Sequence, residues 1–414
     1  DALGAQGEGF LPGVYVLEGS TTPSDVSGYT AEDRISSYLA RLAYNYNEKY
    51  FVEGSYRRDG SSRFNSDVRW GDFYSVGGSW LISEENFLKD NNTISALKLR
   101  ASYGELGNNQ TLTTIIRDGK TVQNYFPYQQ VFETGWNELA NTGVILGAAA
   151  DPRLTWEKTA STDFGLDFGL FNDRITGTID YYQKKSVNLI YNKPLPGSTG
   201  NTGVTTNVGG LKNYGWEFSV DTRNIISKDF IWNSNINVST NKNEITELTQ
   251  KSFINGTKRW EVGKSLYEFY LQEWAGVDPA TGYGMWYKDV LGADGLPTGE
   301  RVTTKVYSEA TRYDTGKQSL PDFVGGFTNY FRYKNIDLNI LFNFSFGSYV
   351  YDSTYASLMG GFESAGRAAS VDILNRWQSP GDITDVPLVL ASNNDFNTQS
   401  TRFLYKNDYI RLKA

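Results

Sequence analysis

The chain has 414 residues, of which 47 are acidic and 39 basic, so its formal net charge is −8. This balance argues against a nucleic-acid partner, because neutralising phosphates requires a basic surface. The sequence contains neither histidine nor cysteine, which excludes Ser-His-Asp triads, imidazole acid–base chemistry, thiolate catalysis, disulfides and His- or Cys-ligated metals. We therefore predict a protein that is not an enzyme and that uses no cofactor.

The composition excludes a helical membrane protein but is compatible with a transmembrane β-barrel. Tyr, Phe and Trp make up 15% of the residues, yet the longest apolar run, 143–150, is far shorter than the ~20 residues of a membrane-spanning helix. A transmembrane β-barrel remains possible, because its strands alternate between lipid and lumen. The opening residues do not resemble a signal peptide, so we expect a mature chain or a fragment.

Apolar and polar residues alternate along much of the chain, which predicts β-strands that separate two environments. In the run 336–347, Ile, Leu and Phe occupy the even positions, while the odd positions are mostly polar. Its length is close to the ~9–11 residues of a tilted membrane strand and exceeds the ~5–6 of an average globular strand. In chain order the alternating segments are 38–46, 50–57, 74–82, 97–103, 163–170, 175–181, 230–239 and 336–347.

The connections between these segments differ strongly in length. Four are short polar turns, at 47–49, 172–173, 227–229 and 334–335, while the others are long, at 105–157, 184–212, 241–320 and 348–400. Short turns on one side and long loops on the other are typical of outer-membrane barrels. Aromatic residues crowd the short turns, which predicts a girdle at the membrane interface: Tyr44, Tyr46, Tyr50, Phe51, Phe168, Phe171, Phe230, Trp232, Tyr330 and Tyr333.

A large soluble β-sandwich, solenoid or propeller would also show alternation. Such folds have shorter strands and no consistent asymmetry between their turns. The sequence also shows no repeat with a period of 20–50 residues. The pattern therefore favours an all-β, antiparallel transmembrane barrel.

Several stretches, in this order, resemble the SusC/RagA-like TonB-dependent outer-membrane transporters of Bacteroidota. They include YFVEGSYRRDGSSRF at 50–64, LKLRASYG at 97–104, DPRLTWEKT at 151–159, GLDFGL at 165–170, NKNEI at 241–245 and DYIRLK at 408–413. The resemblance extends from about residue 35 to the end of the chain. Each stretch alone is weak, whereas the ordered set is specific.

The resemblance implies a 22-stranded barrel with an N-terminal plug and a TonB box. Here we find about 14 strand-like segments and neither a plug nor a TonB box, so we expect residues 1–414 to be part of a single barrel domain, truncated at both ends. The resemblance further implies an outer-membrane importer of oligosaccharides or oligopeptides. A SusD-like surface lipoprotein would act as its lid, and TonB would pull on a plug outside this chain. A passive porin-like barrel, or a surface glycan-binding or adhesive β protein, remains the alternative.

Aromatic residues concentrate in and beside the longest connection. Exposed rings of this kind either pack within the loop, contact a partner protein or stack on a ligand. Loop packing and partner contact together are the favoured explanation of the cluster. As candidates for contact with the substrate or the lid we select Trp260, Tyr270, Trp274, Tyr283, Trp286 and Tyr287.

Three other motifs do not indicate a catalytic or ligand-binding site. Asp163 and Asp167 would lie about 13 Å apart on a strand, too far for a glycosidase pair, so we expect them to line a polar lumen. The segment 289–300 has the length of a calcium loop, but Asp294 stands where that loop needs glycine, so we expect a hairpin turn at Asp294 and Gly295. Turn chemistry likewise explains Asp59 to Arg63.

Overall fold

A computed structural model describes residues 2–8, 22–29, 32–89, 91–111, 114–117, 120–134, 143–201, 203–360, 366, 368–390 and 395–413. Its principal sheet has twelve antiparallel strands. In chain order they are β1 (Ile35–Tyr46), β2 (Tyr50–Ser61), β3 (Trp70–Leu81), β4 (Ile94–Asn108), β5 (Glu157–Leu170), β6 (Ile175–Val187), β7 (Gly210–Ile226), β8 (Phe230–Ser239), β9 (Lys242–Glu247), β10 (Phe323–Tyr333), β11 (Ile336–Phe346) and β12 (Tyr409–Leu412).

The strands follow one another around the sheet as an up-and-down meander, from β1 at one edge to β12 at the other. One departure occurs at β7, which pairs first with β9 and further along with β8. Successive antiparallel neighbours are expected for a barrel wall, because each hairpin satisfies its backbone groups locally. The described strands therefore form a continuous piece of wall.

The predicted asymmetry of the connections is confirmed. The turns β1–β2, β5–β6, β7–β8 and β10–β11 span 47–49, 171–174, 227–229 and 334–335 at one end of the sheet, whereas the long connections 109–156, 188–209, 248–322 and 347–408 leave from the other end. Two connections depart from the pattern: 82–93 is longer than its neighbours at the turn end, and 62–69 is short at the loop end. The first two long loops are also shorter than expected, because β4 continues to Asn108 and β7 already starts at Gly210.

The cross-strand register places the predicted apolar residues on a single face. Val52 pairs with Tyr44 and Gly78, and further along Leu166 pairs with Leu99 and Ile179. Because paired residues point to the same side of a sheet and side chains alternate with period two, the whole set shares that side. We call this side the apolar face and the opposite side the polar face. On β10, β11 and β12, at the other edge of the sheet, Phe342 pairs with Phe327 and Leu412. These three residues therefore also lie on the apolar face.

Most of the predicted girdle lies on the apolar face near the short turns. Tyr50 stacks on Trp80 with ring centroids 6.2 Å apart, and Trp232 stacks on Phe331 at 5.7 Å. Phe51 and Tyr330 are exceptions, because their registers with Ser79 and Asn339 place them on the polar face. The expectation was wrong for these two residues, since closeness to a turn does not determine the side on which a side chain lies.

Outside the principal sheet the described chain forms smaller sheets and short helices. Among these residues no helix is long and apolar enough to cross a membrane. The additional strands are Ala2–Glu8 with Thr22–Tyr29, Thr114–Arg117 with Lys120–Gln123, Phe132–Thr134 with Val144–Leu146, Ile190–Pro194 with Gly203–Asn207, and Tyr349–Tyr351 with Leu404–Lys406. Two larger sheets comprise Ser252–Asn255, Lys258–Glu261, Glu268–Gln272 and Arg312–Gln318, and Trp274–Val277, Gly284–Leu291 and Pro297–Thr304.

Within the described residues, the helical segments are one α-helix and short 3-10 turns. The α-helix α1 (Ser353–Met359) is capped by Asp352, whose side chain accepts a hydrogen bond of 2.7 Å from the backbone N–H of Tyr355. Such a cap satisfies one of the free donors at a helix start. The 3-10 turns are Ile82–Glu84, Gly197–Thr199, Tyr307–Glu309, Val371–Asn375, Asp395–Asn397 and Thr401–Phe403.

The buried apolar residues of the described chain cluster mainly at the loop end. One cluster joins Phe64 and Phe73 to Leu154 and Trp156, which brings two connections together. A second surrounds Phe403 beneath α1, and a third joins Phe269 and Leu271 to Leu404. The long connections therefore fold on the loop end of the wall as packed structure.

Candidate functional site

The polar face is lined by ion pairs between neighbouring strands. The guanidinium of Arg100 on β4 donates to the carboxylates of Asp167 on β5 (2.7 Å) and Asp180 on β6 (2.8 Å). Gly165 lies between them, and a Cβ there would come within 2.6 Å of the Arg100 Cζ. Glycine is therefore needed at this position, because it lets the guanidinium lie across β5 and bridge two strands.

A groove of about 860 Å³ runs along β1 to β5 beside this ion-pair cluster. Its polar side chains include Ser55, Ser75, Ser102, Glu105 and Asp163. Asp163 accepts a hydrogen bond of 2.8 Å from the Ser161 hydroxyl, whereas Asp167 belongs to the Arg100 cluster. As predicted, both aspartates lie on the polar face of the sheet.

The six aromatic residues selected from the sequence do not form one site. Trp286 has no exposed surface, because it is packed against Trp274, Tyr307 and Phe396 with ring centroids 5.3, 5.4 and 6.1 Å away. It therefore has no free face for a ligand in this structure. Its environment matches the loop-packing alternative.

Trp274 and Tyr283 belong to the same packed region. The Arg402 guanidinium lies 5.1 Å from the ring of Trp274, and Tyr283 meets Phe396 edge-on at 5.9 Å. Tyr283 keeps 37% of its surface exposed. Burial lowers the pKa of Arg402 to about 10, which leaves it charged at neutral pH. Trp274 is thus covered by a cation, while Tyr283 remains accessible.

Tyr270 and Tyr287 each lie beneath an arginine. The guanidinium of Arg259 is 4.4 Å from the Tyr270 ring, and that of Arg301 is 4.7 Å from the Tyr287 ring. Hydrogen bonding to Glu273 raises the pKa of Arg301. These cation–π contacts hold both rings in place and occupy one face of each.

Trp260 has different surroundings, because it lines a cavity of about 300 Å³ at the loop end of the wall. Its ring is 5.1 Å from that of Phe253 and 5.8 Å from that of Tyr191. We call this space the rim cavity. Its lining is Glu157, Leu189, Ile190, Tyr191, Lys193, Pro194, Val208, Gly209, Gly210, Leu211, Ile245, Glu247, Leu248, Thr249, Gln250, Phe253, Trp260 and Leu266.

Sequence reasoning missed Tyr191 and Phe253. Phe253 and Trp260 are directly paired across a hairpin whose turn follows Asn255 and includes Gly256 at φ 60°. The Gly-Thr pair at 256–257 was a possible hairpin signal in the sequence, because a two-residue turn that begins with glycine at this point places Phe253 opposite Trp260. Tyr191 comes from a separate connection, so only the tertiary structure brings it to them.

Two charged groups in the loops have altered ionisation. Burial lowers the pKa of Lys258 to about 8, and its Nζ lies 3.1 Å from the centroid of the Phe269 ring. A hydrogen bond from Lys305, with others from Thr281 and the backbone of Ala280, lowers the pKa of Asp278 to about 2. Hydrogen bonding therefore stabilises the ionised form of Asp278, whereas burial disfavours the charged form of Lys258.

The remaining motifs agree with the predictions only in part. Gly284–Leu291 and Pro297–Thr304 form the expected hairpin, and its turn includes Gly295 at φ 75°. The turn expected at Asp59 to Arg63 starts later, because Asp59, Gly60 and Ser61 are still paired in β2 and only Ser62 and Arg63 lie beyond it. Asp59 is buried and pairs with Arg57. In the described part of the chain, no group of three His, Cys, Asp or Glu side chains is arranged to hold a metal ion.

A meandering sheet with one apolar and one charged face, short turns at one end and packed loops at the other defines an outer-membrane β-barrel wall. The sequence model of the "TonB dependent receptor-like, beta-barrel" family matches residues 13–328. The chain therefore belongs to this family, whose members reside in the outer membrane. The apolar face accordingly faces lipid, and the polar face lines the barrel interior.

Two named receptors and a solved transporter structure are similar to this chain. TonB-dependent receptor P3 of Formosa agariphila is 32% identical over 96% of the chain and 39% of its own length. TonB-dependent receptor SusC of Bacteroides thetaiotaomicron is 33% identical over 78% of the chain and 32% of its own length. A solved structure of the RagAB peptide transporter superposes with a TM-score of 0.82 at 28% identity, covering 97% of this chain and 43% of the other. The chain thus spans about two fifths of the length of the similar receptor P3.

Proposed function

We propose that this chain forms part of the wall and the outer loops of an active importer of oligomeric nutrients, either oligosaccharides or oligopeptides. In this proposal a SusD-like lipoprotein covers the loops. TonB supplies the energy through a plug region outside the chain. Residues 1–414 would then contribute to a single barrel domain.

The observation that carries this proposal is the division of the wall into two faces. An apolar face that continues across the strands from β1 to β12 suits lipid, while the Arg100 cluster and its neighbours suit a hydrated passage. Similarity to SusC and to the RagAB peptide transporter supports the import of oligomers and the lipoprotein partner. The RagAB structure is named as that of a peptide transporter, whereas the name SusC states no substrate, so both classes remain in the proposal.

The test is uptake in whole cells that express the full-length transporter. Fluorescent oligopeptides and oligosaccharides are offered to the wild type, to a strain without TonB and to cells whose proton gradient has been collapsed. We expect uptake of one class in the wild type alone. Uptake that persists without TonB would instead indicate a passive porin-like barrel, and surface binding without uptake would indicate an adhesive or glycan-binding protein.

A further inference from the structure

We propose that the rim cavity binds an apolar side group of the imported oligomer, so that the cargo bears aliphatic or aromatic groups in the way that oligopeptides do. This inference rests on the import function proposed above. It assigns a binding role to Tyr191, Phe253 and Trp260 together, at the point where cargo enters the barrel.

The strand register places the cavity on the cargo side of the wall. Leu211 lies an odd number of residues from Trp216, whose pairing with Tyr181 puts it on the apolar face. Leu211 therefore points to the polar face, and its partner Ile245 points the same way. Because this face lines the interior, a cavity that includes both side chains opens toward the path of the cargo at its outer end.

The lining suits an apolar group better than a sugar. Aliphatic and aromatic side chains from four parts of the chain make up most of it, and charged residues such as Lys193 and Glu247 lie among them. A sugar ring would replace only some of its hydrogen bonds with water here, because most of the lining side chains offer no donor or acceptor. A volume of about 300 Å³ with few polar groups lies at the lower end of the range for small-molecule sites.

The aromatic geometry supports the same occupant. Phe253 and Trp260 meet at an interplanar angle of 63°, and Tyr191 is inclined to Trp260 by 54°. Rings set at such angles enclose a three-dimensional side group, whereas a flat stacking platform would present one open face. All three rings are only partly buried. The cavity thus retains apolar surface that a ligand can cover.

The cavity is held in shape by hydrogen bonds behind its lining. The Asn243 side chain donates to Asn213 Oδ1 (2.7 Å) and accepts from the backbone N–H of Leu266 (2.9 Å). The Glu157 carboxylate accepts from the backbone N–H of Ile190 (3.1 Å). The residues that bind the ligand are therefore positioned before it arrives, which reduces the entropy lost on binding.

The experiment measures binding to the full-length transporter in lipid nanodiscs by isothermal titration. The probes are the pentapeptides Ala-Ala-Leu-Ala-Ala and Ala-Ala-Ser-Ala-Ala, with maltopentaose as the carbohydrate. We expect the leucine peptide to bind roughly 10- to 100-fold more tightly than the serine peptide, from burial of one apolar side chain. Phe253→Ser and Tyr191→Ser should each reduce this ratio to near one.

The matched control is Ile254→Ser, because Ile254 is adjacent to Phe253 but pairs with Arg259 on the other face of the hairpin. This variant should keep the wild-type ratio. Barrel folding of each variant is verified by its shift in gel mobility on heating. The two cavity variants come from different connections, so a folding defect in one still leaves the other to test the cavity.

Equal affinities of the wild type for the two peptides would overturn the inference. An affinity ratio that stays at the wild-type value in both cavity variants would also overturn it. No detectable binding of either peptide, or preferential binding of maltopentaose, would also overturn it. If TonB-dependent uptake nevertheless occurs in the whole-cell assay, the import function stands and only the assignment of the cavity fails. If that uptake is absent, the proposed function itself fails.

Discussion

The wall and the long connections use the same apolar residue types in opposite ways. On β1, Leu42 is 77% exposed although it lies in the middle of a regular strand. In the connections, Phe64 and Phe403 are completely buried. The difference arises because the two regions meet different solvents. The wall faces lipid, which accepts apolar side chains, whereas water drives the apolar side chains of the connections into a core.

The two regions also differ in what holds them together. The wall has continuous backbone pairing, so each strand is fixed by its neighbours even where its side chains face outwards. The connections depend on small side-chain clusters that join distant segments. We therefore expect core substitutions in the connections to loosen the loops locally, and charges on the apolar face to impair insertion of the whole wall.

The largest effect is expected for Trp286→Ala in the connections. Removing a fully buried tryptophan should destabilise the packed loop region by about 3–5 kcal/mol, because a cavity remains between Trp274 and Phe396. Limited proteolysis of the folded barrel in detergent should reveal new cleavage sites in the loops. Tyr287→Ala is the matched control, since Tyr287 is adjacent and only partly buried. An unchanged cleavage pattern for Trp286→Ala would contradict the packing role.

The second comparison lies within β11. Phe342→Arg puts a charge on the apolar face and should cost roughly 2–4 kcal/mol near mid-membrane, whereas Asn343→Arg places it on the polar face and should be tolerated. The measurement is urea-dependent refolding of the full-length protein into liposomes. Equal losses for the two variants would show that the faces do not meet different solvents.

A smaller effect is expected at the ion cluster of the polar face. Arg100→Gln leaves Asp167 and Asp180 without their shared cation and should cost about 1 kcal/mol, because the cluster is partly exposed. The loss should shrink at high salt, where screening weakens the attraction present in the wild type. Adding Asp180→Asn to the Arg100→Gln variant should recover part of the lost stability. A double-mutant cycle in refolding experiments measures this recovery. Strict additivity would mean that the two side chains are not coupled.

The smallest effect concerns acid stability of the loops. The folded-state pKa of Asp278 is about 2, below its usual value near 3.8, so its stabilising contribution is present above pH 3.8. That contribution is lost as the pH falls from 3.8 through 2. Asp278→Asn should therefore reduce the difference in loop protection from pepsin between pH 4 and pH 2. An identical pH profile for both proteins would contradict the assigned role of Lys305 in holding Asp278 ionised.

The fold was largely predictable because alternation is a local property. The segments around Tyr44, Leu99, Phe164 and Phe342 each revealed their apolar side without any knowledge of their neighbours, and the register then placed them on one face. The ends of the long loops were less predictable. Strand β4 extends to Asn108 through pairing with β5, an interaction between segments that are distant in sequence.

The site was much less predictable than the wall. Sequence identified the aromatic cluster in the longest connection, but the cluster divides into the buried Trp286 region, two arginine-covered tyrosines and Trp260 at the rim cavity. Composition reveals how many rings a loop contains. It does not reveal which rings become buried, since that depends on contacts with residues such as Phe396 far along the chain.

By itself, the sequence determined the strand period, the two faces, the end at which the loops lie and the resemblance to a transporter family. Each of these follows from neighbouring residues and their spacing. Only the tertiary structure decided that Tyr191 meets Phe253 and Trp260, and that Arg100 bridges Asp167 and Asp180 across Gly165. The physical reason is that burial and ion pairing depend on strands and loops brought together by long-range backbone pairing, which no local pattern encodes.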